Sequence, residues 1–275
     1  MHAPGDVAGA LASLDTFGFA IVRGLFDPVR LSELDAAASA LQEQLLAGEL
    51  AERYGTLTLV DDPDGTRTSK LANYVTHVTE ISPVLRAAIV DPALVAVVQG
   101  WLGESWLLEA DPFGVVLQDA RPGSESSYTR IGWHSDWQSG PHLDRWPSVA
   151  FTLHLDATSP ANGFLRVVPG SHRWATPAPF RNVNGVAVPD GSRPTGGYDD
   201  IEPPAPMPLR FEKVTGEIPV YCEAGDVLFH DAYLWHSAAR ATDDDAIRRH
   251  VRGGWYSGVP DTGVTEADFV KNAAR

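Results

Sequence analysis

From Gly103 to Tyr256 the chain is a succession of short apolar runs broken by turn residues, and no other pattern constrains its fold as much. The runs occupy residues 106–108, 115–117, 149–153, 164–168, 218–221, 226–229 and 251–256. Pro112, Gly123, Asn162-Gly163, Pro169-Gly170 and Gly225 separate them. Many short strands with such punctuation build a sandwich or a jelly roll.

Helical signals come earlier. Asp27-Pro28, Ser82-Pro83 and Asp91-Pro92 each put a capping side chain before a proline. Proline suits the first helical turn, where its missing N–H would have had no partner. Leu31, Leu34, Ala38, Leu41 and Leu45 recur every three or four residues, one apolar face of a helix. A second helix runs through Leu94, Val97, Val98 and Trp101 to Gly103, and a shorter pattern (Val7, Leu11, Leu14) opens the chain. The compact apolar stretch 17–22 predicts a buried strand, and 56–60 and 74–76 predict two more around a turn at 61–65.

No break in composition separates the two halves. The 275 residues therefore read as one domain, with a helical support in roughly 1–103 and a β core in roughly 104–258. Residues 175–210 stand apart, with eight prolines and four glycines. An unpatterned stretch of that length inside a compact domain suits a lid-like insertion.

A formal net charge of −15 disfavours nucleic acid and anionic membrane as partners. The single cysteine, Cys222, excludes an internal disulfide and a cysteine-rich metal site, and its apolar neighbours predict a packed thiol. No run approaches a membrane span and no basic-then-apolar leader opens the chain, so the expected compartment is the cytoplasm.

The chemistry centres on Trp133-His134-Ser135-Asp136-Trp137. In an extended segment His134 and Asp136 project to the same side. With one later histidine they make a 2-His-1-carboxylate set, which holds a divalent metal on one face and leaves the opposite positions open. Among the histidines, His236 is best placed, after the turn and strand of residues 223–230. Arg248 and Arg249 follow about a dozen residues later. If 247–256 is a strand, Arg248, His250 and Arg252 share one face and Arg249 takes the other.

Four segments give the chain a resemblance to the phytanoyl-CoA dioxygenase family of non-haem Fe(II)/2-oxoglutarate oxygenases. They are residues 17–25, the HxD at 133–136, the stretch from Ala161-Asn162-Gly163 to Pro169-Gly170-Ser171-His172, and the Ala224-Gly225-Asp226 strand that ends in His230. The resemblance implies a mainly β double-stranded β-helix (a jelly roll, cupin-like) with helices packed outside. It implies an oxygenase that uses Fe(II), 2-oxoglutarate and O2 to hydroxylate or otherwise oxidise a small molecule. His134, Asp136 and His236 match the iron ligands, and Arg248 matches the arginine that pairs with 2-oxoglutarate, with Arg249 the alternative one residue along. Thr152 and Ser237 are further candidates near the co-substrate. The family's usual hydroxyl lies two residues after the distal histidine, where this chain has Ala238. Related halogenases carry Gly or Ala at the position of Asp136, so the carboxylate favours hydroxylation. His154 is read as a strand residue near the site or packed in it, His172 as part of a structural turn, and His230 as a packing or supporting residue. Trp133, Trp137, Trp146 and Trp235 are either walls of the cavity or core. Two other readings fit a jelly roll: a cupin-like metal enzyme without 2-oxoglutarate, and a non-catalytic small-molecule binding protein.

Overall fold

The structure of the chain, a computed structural model, describes residues 1–55, 57–60, 68–71, 74–107, 115–120, 132–139, 149–176, 180–183, 186–189, 197–199, 201–208, 211–239, 241–243 and 245–257. The helices are α1 (Val7–Phe17), α2 (Pro28–Leu46), α3 (Glu52–Gly55), α4 (Val78–Ile81), α5 (Pro83–Ile89), α6 (Pro92–Leu102) and α7 (Asp136–Ser139). The strands are β1 (Phe19–Val22), β2 (Leu57–Val60), β3 (Thr68–Leu71), β4 (Tyr74–Thr76), β5 (Ser105–Leu107), β6 (Val115–Ala120) and β7 (Val149–His154) in the first half. They continue as β8 (Leu165–Val167), β9 (Phe180–Val183), β10 (Val186–Pro189), β11 (Ile218–Val220), β12 (Val227–Asp231), β13 (His236–Ala238) and β14 (Arg248–Ser257).

The caps act where the sequence places them. The side chain of Asp27 accepts from the Arg30 N–H at 2.8 Å, that of Ser82 from Leu85 at 3.2 Å and that of Asp91 from Ala93 at 2.9 Å. Each satisfies a backbone donor that the first turn cannot.

Two antiparallel sheets form the double-stranded β-helix. The larger has seven strands in the order β1-β12-β7-β14-β6-β4, with β5 also on β14, and the smaller runs β11-β8-β13. Alternation divides the larger sheet into two unlike faces. Val115, Leu117, Val149, Phe151, Leu153, Val227, Phe229, Val251 and Trp255 join one apolar cluster with Leu14, Leu34, Leu85, Leu94 and Val98 of the helices. The residues between them point to the smaller sheet. There Ile21 and Leu228 meet Val167, Val220, Cys222 and Leu234 in a second cluster. Cys222 is thus a packed thiol, and burial pushes it up to about 12.

The stretch 175–210 carries more regularity than its prolines predict: β9 and β10 pair as a hairpin. Trp174 and Ile201 form a parallel bridge, and Tyr198 donates its hydroxyl to Asp231 at 2.7 Å. The predicted turn at 61–65 and Trp146 lie outside the described residues. Among the described residues no single helix is long and apolar enough to cross a membrane.

Candidate metal centre

His134, Asp136 and His236 each bring a ligand atom within 4.8 Å of the others. The route to that meeting differs from a plain strand. His134 forms an isolated bridge with His236, their backbones exchanging N–H···O bonds of 3.0 and 2.9 Å. Asp136 is the first residue of α7, so the extended stretch expected across the HxD ends before the carboxylate. The helical turn then brings the Asp136 side chain back toward the two imidazoles. His236 is likewise on a strand the apolar pattern did not mark, since β13 begins at His236 itself.

The two imidazoles are set for metal binding by backbone carbonyls. Nδ1 of His134 donates to Gly132 O at 2.9 Å, and Nδ1 of His236 donates to Leu234 O at 2.9 Å. Each bond fixes the tautomer and leaves Nε2 as the free lone pair. Burial pushes both imidazoles below their ordinary range, with the Asp136 charge opposing it. Burial pushes the Asp136 carboxyl up. The hydrogen bond from His230, with the His230, His236 and His134 rings gathered around the carboxylate, outweighs that and holds it far below the usual carboxylate range. Neutral imidazoles and an ionised carboxylate are the forms a divalent cation requires.

Strand β14 carries two kinds of arginine, one on each of its faces. Register places Arg248, His250 and Arg252 on its inward face, opposite His154 and Thr152 of β7. Arg248 is 5% exposed. A Cβ on Gly163 would lie 3.3 Å from its Nη1 and 2.8 Å from the Ala239 carbonyl, and Gly163 has a φ of +87°. The Asn162-Gly163 pair therefore leaves room for this guanidinium just beyond the end of β13. Arg249 takes the opposite face, where its Nε is 3.0 Å from Asp156 and its Nη2 is 2.6 Å from Asp35.

The other candidates divide. Thr152 lies on the inward face of β7 between Leu228 and Arg252. Ser237 pairs with Arg166 and shares its face, away from the side of His236 and Ala238. His172 packs against Gly18 and bonds the Asp15 carbonyl at 3.1 Å, a turn-holding role. Trp133 and Trp235 pack with Val168 and Met207 on the outer side of the smaller sheet, so these two are core and not cavity wall. Trp137 is 6.0 Å from the Tyr233 ring.

Gln118, on the inward face, and Asp231, on the helix-facing side opposite Val149, were not singled out by sequence, whereas His154 lies inward on its strand, one of the two places the sequence reading gave it. Gln118 holds His250 Nε2 at 2.7 Å. His154 has no hydrogen-bond partner on either ring nitrogen among the described residues, and burial with the nearby Arg248 and Arg23 charges lowers it to about 3. Asp231 is raised to about 6 by burial, against bonds from the Tyr233 N–H, Tyr198 and Trp101. Each needs a cross-strand neighbour to acquire meaning, and no local motif announces that neighbour.

Fold and site together define a double-stranded β-helix protein with a His-Asp-His group placed so that it could hold a metal ion. The family model for phytanoyl-CoA dioxygenase (PhyH) matches residues 14–250. The chain belongs to that family. It is 26% identical to dioxygenase af480 of Aspergillus fumigatus over 224 residues, 79% of this chain and 58% of that protein. It is 30% identical to an ectoine dioxygenase of Nocardia farcinica over 172 residues, 61% of this chain and 51% of the relative. The matches thus span little more than half the length of those two proteins. Among solved structures, the epimerase SnoN in complex with Fe3+, alpha ketoglutarate and nogalamycin RO superposes with a TM-score of 0.63 at 19% identity, covering 96% of this chain and 93% of that one. EctD from S. alaskensis with 2-oxoglutarate and 5-hydroxyectoine gives 0.60 at 20% identity, covering 92% and 76%.

Proposed function

We propose that this chain is an Fe(II)- and 2-oxoglutarate-dependent oxygenase that hydroxylates, or otherwise oxidises, a small molecule. One observation carries the reading: three ligand atoms from His134, Asp136 and His236 lie within 4.8 Å of one another, with both imidazoles already turned by backbone carbonyls. Two nitrogens and one carboxylate oxygen on one side fit iron(II) and leave its other positions to exchangeable ligands. His134 and His236 would bind through Nε2. Asp136 would bind through Oδ1, which faces the Nε2 of His236 at 3.6 Å, while Oδ2 is held by His230.

Bound iron with 2-oxoglutarate and O2 supplies the oxidising power, and the net change is substrate C–H to C–OH with release of succinate and carbon dioxide. The chain's own residues place the reactants. Arg248, inward and next to the end of β13, offers a planar pair of N–H donors to the far carboxylate of 2-oxoglutarate. Thr152 stands on the neighbouring inward face as a polar contact. Ser237 faces away from His236, and Ala238 supplies no hydroxyl, so Arg248 is left as the anchor among these three. The apolar residues of the larger sheet and the tryptophan cluster behind β13 keep water out from both sides. The described part of 175–210, held by the bond of Tyr198 to Asp231 at the end of β12, is read as part of a lid over the substrate.

The ectoine dioxygenase relatives and the nogalamycin-pathway neighbours support a small organic substrate of specialised metabolism. The whole chain works as one catalytic domain, and we place it in the cytoplasm. Anaerobic reconstitution with Fe(II) and 2-oxoglutarate should give a visible charge-transfer band. Admission of O2 with a substrate panel that begins with ectoine should give succinate. A chain that binds Fe(II) yet yields no band and no succinate with any substrate is not a 2-oxoglutarate oxygenase.

A further inference from the structure

Asp136 sits on a short helical element and not on a strand of either sheet. It opens α7, a four-residue helix that follows the short stretch 132–135. Backbone bonds hold the chain on both sides of Asp136, His134 with His236 before it and the Trp137 N–H to Ala232 O at 3.0 Å after it, but none of them touches the carboxylate. The ring that reaches it comes from elsewhere. His230 on β12 places Nε2 at 3.0 Å from Asp136 Oδ2. An ionised carboxylate only accepts, so Nε2 carries the proton and donates it. The β12 strand has neighbours on both sides, Phe19 of β1 and Ala150 of β7 facing His230, so the base of the imidazole is fixed by two ladders.

Two observations distinguish this from packing and from ligation. The other ring nitrogen, Nδ1, is buried with no hydrogen-bond partner among the described residues. A buried acceptor left alone is destabilising, so leucine or phenylalanine would fill the space better if filling were the task. And His230 stands outside the set of atoms that meet within 4.8 Å, which among the described residues holds His134, Asp136 and His236.

We infer that His230 is a positioning residue: it holds Oδ2 of Asp136 and thereby presents Oδ1 to the metal. The inference rests on the metal-centre reading above. Hydrogen bonds to ligating carboxylates orient them and raise metal affinity by about 10- to 100-fold.

The test uses Co(II) on the metal-free full chain, titrated against a chromophoric chelator, with the ligand-field absorption recorded. Four proteins are compared: wild type, His230→Leu, His230→Asn and His230→Gln. The glutamine amide reaches about where Nε2 lies, and the asparagine amide falls short by one methylene. Leu and Asn should weaken Co(II) binding by about 10- to 100-fold and alter the absorption bands. Gln should restore both affinity and bands. Thermal unfolding of the metal-free proteins should show Leu no less stable than wild type. If Leu does not fold, the Asn and Gln pair decides, since both are polar and differ in reach. Equal affinity and identical bands in Asn, Gln and wild type overturn the inference and leave the metal centre standing. A wild type that takes up no Co(II) overturns the metal centre itself, and the inference with it.

Discussion

The two faces of the larger sheet are made by the same strands and differ in chemistry, one mostly apolar and the other rich in polar and charged groups. Toward the helices lie Leu117, Phe151, Leu153, Phe229 and Val251, all fully buried and apolar. Toward the smaller sheet lie Gln118, Thr152, His154, His230, Arg248, His250 and Arg252. One residue of displacement along β14 turns Arg249, tied to Asp156 and Asp35, into Arg248, aimed at the cavity. The difference teaches that stability and reactivity are interleaved at a period of two, and that a one-residue slip would exchange them.

That division can be broken by substitution. The largest effect is expected inside: Asp136→Ala should abolish iron retention and succinate formation while barely moving the unfolding midpoint of the metal-free protein. Measuring bound iron after desalting checks it, and retained iron would remove Asp136 from the ligand set. On the other face, Phe229→Ala should cost about 3–5 kcal/mol in chemical denaturation, yet the folded fraction should still take up one iron per chain. Loss of iron from well-folded protein would show the faces to be coupled.

The two arginines sharpen the contrast further. Arg248→Ala should raise the KM for 2-oxoglutarate by about tenfold or more, since it removes a charge-assisted bidentate contact. Arg249→Ala should leave that KM alone and lower stability by on the order of 1 kcal/mol, as for other half-exposed ion pairs. The reverse result would put the co-substrate on the other side of β14.

A further effect concerns pH. His154 is depressed from an ordinary 6.5 to about 3 by burial and by the Arg248 and Arg23 charges. The unfolded imidazole therefore takes up a proton below about 6.5 that the native one refuses until about 3. Stability must fall as pH drops through that window, and His154→Asn should flatten the fall. Identical slopes for the two proteins between pH 6.5 and 4 would place His154 in water.

Much of this was legible in the sequence, because the signals were local. The Asp-Pro and Ser-Pro caps begin α2, α5 and α6, and alternation in residues 149–153 and 247–256 gives both faces of β7 and β14. The HxD and His236 stand out by residue type. What stayed hidden depends on contacts across the fold. The helical turn at Asp136 follows a stretch that reads equally well as strand. Gln118 is one amide on a short run until His250 lies beside it. Ser237 reads as a neighbour of His236, and only the pairing with Arg166 shows that it faces away. Trp133 and Trp235 belong to the outer side of the smaller sheet because His134 and His236 beside them point inward.

The reciprocal backbone bonds between His134 and His236 have a consequence for how the protein is loaded. Two ligands separated by 102 positions in the chain are clamped by main-chain groups that no metal touches. Little chain entropy remains to be lost when the ion arrives, so loading resembles filling a socket more than closing a hand. Hydrogen exchange at the amides of His134 and His236 should be slow before iron is added and change little afterwards. Under the proposed reading, iron should be stripped and replaced without refolding, and exchange of one divalent ion for another should be a matter of solution chemistry.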